Sequence, residues 1–279
     1  MRVCAVIVSY RTGPALGACL EALAAANGLD EIVLVDNGNA AAETAVLDAF
    51  AATHSKALVI RGHGNIGFAA ACNRGARAGG GDVLAFVNPD VVLASDALPR
   101  LVAALEAARS PAIIGGDLRD AEGRPDRGGR RERLTLWRAI VSASGLSKLE
   151  RIAPIFRDFN RHTDPLPPAP VRVGAVSGAL MMIRRADFEA LGGFDEGYFV
   201  HVEDVDLCRR AEEAGGDVLF APGPHGRHER STSDATPRAV ARYRAESMAR
   251  YLRKFARGPL ERVLTVVASS VLLAMTPKV

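Results

Sequence analysis

The sequence predicts an α/β fold: a parallel β-sheet with helices on both faces, followed by C-terminal helices. Two observations carry this. Short β-rich runs alternate with Ala-rich stretches of helical period through residues 2–109. The strand runs are almost continuously apolar, as strands of a sheet buried on both faces are. A chain of 279 residues, 48% hydrophobic, can also bury a large core.

The elements follow in order. RVCAVIVS (2–9) reads as a strand, ALGACLEALAAA (15–26) as a helix and EIVLVD (31–36) as the next strand. AAAETAVLDAFAAT (40–53) is helical and ALVIR (57–61) extended; GFAAACNRGARAGG (67–80) is a helix before the strand DVLAFV (82–87). A helix through 95–109 precedes AIIGGDL (112–118), a strand-like run. DAEGRPDRGGRRER (120–133) is charged and Gly-rich, which predicts a turn and a mobile loop whose arginines are solvated or lie over an anionic ligand. Residues 134–162 look weakly helical, and DPLPPAP (164–170) is a connector. VSGALMMIRR (176–185) predicts a strand, GGFDEGYFVH (192–201) a loop, VEDVDLCRRAEEAG (202–215) a helix and DVLFAP (217–222) a further strand.

A basic amphipathic helix is expected over 237–257, which divides the chain into a domain at 1–235 and a helical appendage at 236–279. The uncharged run VLTVVASSVLLAMT (263–276) is short of the roughly 20 residues a membrane span needs. It reads as a packed helix or as an interfacial helix collared by RKFARGPLER (253–262). MRVCAVIVSY enters a strand pattern at once and does not read as a signal peptide, and Cys4, Cys19, Cys72 and Cys208 show no metal-ligand spacing. Buried reduced thiols in a cytoplasmic protein are the expectation. A net charge of +3 with 5% aromatics argues against a nucleic-acid partner.

Ligands of open α/β sheets bind beyond the carboxyl ends of the strands. That rule gathers YRT (10–12), DNGN (36–39) and NPD (88–90) on one rim. Asp36 is either a turn residue or an acceptor for the imide N–H of a pyrimidine. GNIGFAAACNRG (64–75) lacks the Lys of a P-loop; it offers Asn65 and Asn73 as amide partners and Gly67 for close backbone approach at a helix N-terminus. In NPD, Pro89 ends the strand, and Asp90 is either a helix cap or a ligand for a divalent metal beside diphosphate oxygens. Glu203, Asp204 and Asp206 open a helix, where acids commonly offset the dipole. Asp204 also leads the inward stripe Leu207, Cys208 and Ala211, the placement of a general base. His228, in HGRHERS (225–231), is either an exposed loop residue or a second metal ligand.

The ordered motifs VIVSYRT, VDNGN, GNIGFAAACNRG, FVNPDV, VSGALMMIRR, GGFDEGYFVHVEDVDLCRR and HERS, over residues 3–233, resemble the family 2 inverting glycosyltransferases of the GT-A fold, most closely the rhamnosyltransferase-like branch. The resemblance implies a mixed, mainly parallel sheet and a nucleotide-diphosphate sugar as substrate. It places Ser9, Tyr10 and Arg11 at the nucleoside, Asp36 on the pyrimidine, and Asn65, Gly67 and Asn73 over nucleotide and ribose. Asn88 and Asp90 occupy the metal-motif position, Asn88 replacing its first acid. Asp90 and His228 would hold Mg2+ or Mn2+, and Asp204 would be the base, with Glu203 as runner-up. The donor implied first is dTDP-β-L-rhamnose. The acceptor is a cell-surface polysaccharide or lipid-linked glycan, which would suit peripheral contact with the inner membrane; a homodimer would explain the apolar tail equally. A sugar nucleotidyltransferase or a non-catalytic sugar-binding module are the alternatives.

Overall fold

The structure, a computed structural model, describes residues 1–229 and 236–276. Arg230 and Ser231 of the HERS motif, and residue 235 at the expected domain boundary, lie outside the described residues.

The first half alternates as expected: β1 (Val3–Ser9), α1 (Ala15–Ala24), β2 (Glu31–Asp36), α2 (Ala41–Thr53), β3 (Ala57–Ile60), α3 (Phe68–Ala78) and β4 (Val83–Val87). Next come β5 (Val91–Leu93), α4 (Ala97–Glu106), β6 (Ala112–Arg119), β7 (Arg130–Arg131), α5 (Leu136–Ser144), β8 (Val171–Arg172), β9 (Ala175–Val176) and β10 (Leu180–Arg184). The chain continues through α6 (Arg185–Ala190), α7 (Glu203–Glu213), β11 (Asp217–His228), α8 (Pro237–Phe255) and α9 (Gly258–Met275).

The main sheet runs in the order β3-β2-β1-β4-β10-β6-β11-β5, with β8 on β11. β3, β2, β1 and β4 are parallel, β10 is antiparallel to both its neighbours, and β11 is parallel to β6. It is the mixed, mainly parallel sheet of the expectation. Side chains alternate between its faces. Cys4, Val6, Val8, Leu84 and Phe86 pack on one side with residues of α3, α7 and α8. Val3, Ala5, Ile7, Val83 and Ala85 pack on the other with α1 and α4. Gly75 in mid-α3 has a packing reason: a Cβ there would overlap the Val6 and Val35 side chains. All four cysteines are free and buried.

Three expectations need correction. β5 follows NPD directly, so the corner leads into a short strand. The run 120–133 contributes β7, paired antiparallel with β9, and buries Asp126 and Arg130. The predicted strand 176–185 is broken into β9 and β10 by Ser177, Gly178 and Ala179. α8, in the expected C-terminal helical segment, packs on the core. Tyr251 and Leu252 join the hydrophobic cluster, because α8 turns its apolar stripe inward and reaches a buried acid with Lys254.

That acid is Asp206, fully buried in α7. It accepts from Tyr198 Oη (3.0 Å) and Arg210 Nε (2.6 Å) and pairs with Lys254 Nζ (2.7 Å). Removing one member of a buried ionic cluster leaves the others uncompensated. Asp206→Ala is expected to lose roughly 3–5 kcal/mol of stability, read as a lower urea midpoint.

Candidate active site

The corner Asn88-Pro89-Asp90 is positioned by sheet pairing. Bulges interrupt β11 between Ala221 and Gly226; beyond them it stays beside β6 as far as Arg227 and pairs antiparallel with β5 on its other edge, with His228 opposite Val91. That register brings His228 Nε2 to 3.2 Å from Asp90 Oδ1. The other ring nitrogen, Nδ1, meets Asp126 Oδ2 at 2.5 Å. Burial opposes the charged ring, but hydrogen bonds to Asp126 and Asp90 outweigh it and push the His228 pKa up to about 9. Asp90 and His228 make two donors of the kinds a divalent cation takes, the histidine once its ring is neutral. Among the described residues, no group of three or more His, Cys, Asp or Glu gathers as a metal cluster. Asp90 offers oxygen, His228 offers Nε2, and Asp126 holds the far ring nitrogen, one of the ways in which metal-ligating histidines are oriented.

A second group of loops meets at the tips of β1 and β2. Asp36 Oδ1 accepts from the Gly38 and Asn39 amides (3.2 and 3.0 Å), and Oδ2 accepts from Thr44 Oγ1 (3.0 Å). Asp36 therefore braces the DNGN turn, and a carboxylate with about four acceptor positions keeps room for one more donor. Asn37 ties this turn to the next loop: its Nδ2 donates to Asn65 Oδ1 (3.1 Å), and its Oδ1 accepts from the Ile66 amide (3.1 Å). Asn65 Oδ1 also accepts from the Gly67 amide (3.1 Å). At Gly67 φ is +85°, and a Cβ would lie 2.7 Å from the Phe199 carbonyl oxygen, so the close approach there is to the protein's own loop. Tyr10 and Arg11 stand at the rim, with the Arg11 guanidinium 5.5 Å from the Tyr10 ring centre.

Asp204 is the second residue of α7, which starts directly after two strained residues. His201 and Val202 have φ of 68° and 71°; with Arg11 they are the non-glycine residues with positive φ among those described. Such backbone costs about 1–3 kcal/mol per residue and persists only where its surroundings hold it. Here Ser247 Oγ of α8 donates to the Val200 carbonyl (2.9 Å), Tyr243 stacks on Phe199 at 4.5 Å, and the Phe68 amide donates to the Phe199 carbonyl (2.6 Å). The Asp204 carboxylate is buried. Its Oδ2 accepts from Arg131 Nη2 (2.5 Å) and the Gly178 amide (3.0 Å), and its Oδ1 from the Val205 amide (2.8 Å). Burial would raise its pKa, but the Arg131 charge and these hydrogen bonds hold it below the usual carboxylate range. Glu203 is displaced the opposite way, upward, by burial and by the charge of Asp204. Among the described residues its Oε2 has no hydrogen-bond partner.

The two acidic stations are close. Gly178 donates to Asp204, and the next residue, Ala179, accepts at its carbonyl from the Asn88 amide (3.0 Å). A second route passes through the loop: Asp126 Oδ1 accepts from the Gly128 amide (2.8 Å), and the Gly128 carbonyl accepts from Arg131 Nε (2.9 Å). One hydrogen-bonded chain thus runs Asp90, His228, Asp126, Gly128, Arg131, Asp204.

Two residues expected at the ligand have protein partners in the structure. The Ser9 hydroxyl is buried and bonded to Asn39 Oδ1 (3.2 Å) and Thr12 Oγ1 (3.4 Å), bracing the β1 loop. The Asn73 amide faces the 194–196 loop. Its Nδ2 donates to the Phe194 carbonyl (2.9 Å) and Glu196 Oε1 (3.0 Å), and its Oδ1 accepts from the Phe194 amide (2.9 Å). Sequence reasoning missed Asp126, Arg131 and Gly178. The first two sit in a run whose charge reads as solvation, and nothing local marks their partners 73 or more positions away.

The fold is that of the GT-A glycosyltransferases. Residues 2–258 match the profile of the family described as "Glycosyltransferase like family 2". The chain belongs to that family and is a glycosyltransferase. Rhamnosyltransferase WbbL of Escherichia coli (strain K12) is 42% identical over 52 residues, 19% of this chain and 20% of that protein. The N-acetylglucosaminyl-diphospho-decaprenol L-rhamnosyltransferase of Mycobacterium tuberculosis is 40% identical over 68 residues, 24% of this chain and 22% of its own length. The matched segments thus span about a fifth of these curated relatives. Among solved structures, GalNAc-T7 with UDP, GalNAc and Mn2+ superimposes with a TM-score of 0.67 at 22% identity, covering 90% of this chain and 48% of that one. Mannosyltransferase PcManGT from Pyrobaculum calidifontis, in complex with GDP-Man and Mn2+, gives 0.60 at 15% identity, covering 100% and 76%. At these identities the structures speak for the fold.

Asn73→Ala strands the buried Phe194 amide and carbonyl. It is expected to cost roughly 2–4 kcal/mol in urea unfolding while leaving nucleotide-sugar affinity of the folded protein within about twofold. A large affinity loss at unchanged stability would return Asn73 to the ligand.

Proposed function

We propose that this glycosyltransferase inverts the sugar it transfers, taking L-rhamnose from dTDP-β-L-rhamnose to a hydroxyl of a cell-surface polysaccharide or a lipid-linked glycan. The observation that carries the reading is the pairing of two stations across one peptide unit: the ionised Asp204 on Gly178, and the Asn88–Asp90 corner on Ala179. Direct inversion needs both, a base on the acceptor side and a charge-neutralising station on the leaving-group side. The rhamnosyl transfer named for both curated relatives supports the donor. The decaprenol diphosphate in one of those names supports a lipid-linked acceptor.

In this reading Tyr10, Arg11 and the remaining acceptor position of Asp36 receive the nucleoside, with Asn65 and Gly67 shaping the loop above it. Asp90 and His228 would hold Mg2+ or Mn2+, which offsets charge on the departing diphosphate when bound. Asp126 keeps the His228 ring turned toward Asp90. Asp204 accepts the proton of the acceptor hydroxyl as the new bond forms. Glu203, displaced toward its protonated form, is the poorer base. Asp204→Asn is expected to lower donor turnover by about 10²–10⁴-fold with donor binding retained in a thermal-shift screen with Mn2+. Unchanged turnover would sink the base assignment.

The same reading places the protein in the cytoplasm, against the membrane face. α9 is 18 residues long with a mean hydropathy of 1.4, long and apolar enough by length and composition to cross a membrane, and 11% of those residues are buried. Its amphipathicity is inverted. Thr265 and Ser269 face inward, whereas Leu260, Leu264, Val267, Val271 and Met275 form an exposed stripe. Arg253, Arg257 and Arg262 stand exposed at its amino-terminal end. An apolar stripe with a basic collar fits an anionic bilayer. Co-sedimentation with phosphatidylglycerol vesicles should fall about tenfold or more on Val267→Asp/Val271→Asp. A dimer in solution that ignores vesicles would make a second copy the occupant instead.

A further inference from the structure

Arg131 sits in β7, in the run whose charge reads as a solvated loop. Its Nη2 donates to Asp204 Oδ2 (2.5 Å) and to the Val176 carbonyl (2.8 Å), and its Nε donates to the Gly128 carbonyl (2.9 Å). Phe159 packs against the guanidinium at 5.9 Å. The backbone is held on both sides, by Ala175 of β9 and by a bridge to Asn160. Only 11% of either side chain in the Arg131–Asp204 pair is exposed. A buried guanidinium is costly unless its donors are matched and its charge is met. Both conditions are met here, by the Asp204 carboxylate and by the Gly128 and Val176 carbonyls.

The surroundings of that carboxylate explain why a cation is needed. Glu203 precedes it on α7, also buried, and two adjacent buried acids do not ionise together. Asp206 and Cys208 follow on the same helix, Asp206 being met by Arg210 and Lys254. His201 faces it from the strained loop, with Arg244 of α8 beyond, and burial lowers that histidine to a pKa of about 4. A neutral His201 supplies no counter-charge. Among the described groups, Arg131 alone forms an ion pair with Asp204, and Glu203 has no ion pair.

We propose that Arg131 is a positioning residue that sorts charge between the two adjacent acids: it keeps Asp204 ionised and seated on Gly178, and so leaves Glu203 protonated. The consequence rests on the reading of Asp204 as base: of two buried carboxyls, one defined oxygen pair is offered to the acceptor hydroxyl. The opposite displacements of the two acids agree with this arrangement.

Infrared spectroscopy tests the sorting without substrate. At neutral pH the wild-type protein should show a buried protonated-carboxyl band that disappears in Glu203→Gln and persists in Asp204→Asn. Arg131→Met and Arg131→Gln, the latter able to keep hydrogen bonds to the carbonyls, should change how that proton is shared, adding an Asp204 component that Asp204→Asn removes. Arg131→Lys should restore the wild-type pattern. In turnover of dTDP-β-L-rhamnose, the acidic limb of kcat should move up by about one pH unit or more in the neutral variants, with donor Kd within about twofold. A merely structural arginine would scale the profile without shifting it. Neutral variants with the wild-type spectrum and an unshifted limb overturn the proposal. If neither neutral variant folds, the wild-type protein decides: a band that is absent, or that survives Glu203→Gln, overturns it. Asp204→Asn that turns over normally while the spectral change holds would instead remove the base reading and leave the sorting in place.

Discussion

The buried ion pair between Arg131 and Asp204 is the interaction on which the rim depends. Arg131 reaches Asp204 from a loop, and through Gly128 and Asp126 the same loop orients His228 against Asp90. Two acidic stations from distant parts of the chain are thereby held by one short segment. A buried pair of this kind adds little net stability, because desolvation consumes most of the Coulombic gain. Its value lies in geometry, since each member has partners only in one arrangement.

Sheet topology makes that arrangement reachable. β10 enters antiparallel between β4 and β6, so the break before it delivers Gly178 and Ala179 to the carboxyl rim beside Asn88. Beyond its bulges β11 runs between β6 and β5, which sets His228 opposite Val91. Bulges commonly re-aim a side chain near a site, and here they lie just before the segment that brings His228 to Asp90.

Strain and the helical C-terminus are linked. The left-handed backbone at His201 and Val202 turns the chain sharply into α7, so that Asp204 meets Arg131 and Gly178. α8 supports that turn through Ser247 and Tyr243 and anchors α7 through Lys254. α9 then packs on α8 with its hydroxyls inward and its aliphatic side chains outward. A helix serving only the core would be oriented the other way.

Apolar periodicity was sufficient for much of this protein. β1 to β4 and the helices between them, the inward stripe behind Asp204 and the gathering of Asp36 and Asp90 at one rim were legible because strand and helix periods are local properties of the chain. The ordered motifs carried the family for the same reason. Tertiary structure alone decided what each polar group faces. It turned Asn73 to the 194–196 loop and Ser9 to Asn39, and it converted a charged, Gly-rich run into the support of the rim. It also placed α8 in the core and left α9 outside it. The physical reason is common to all of these: a charge or an amide acquires its role from partners brought near by folding, and a linear sequence shows the donor without showing what it meets.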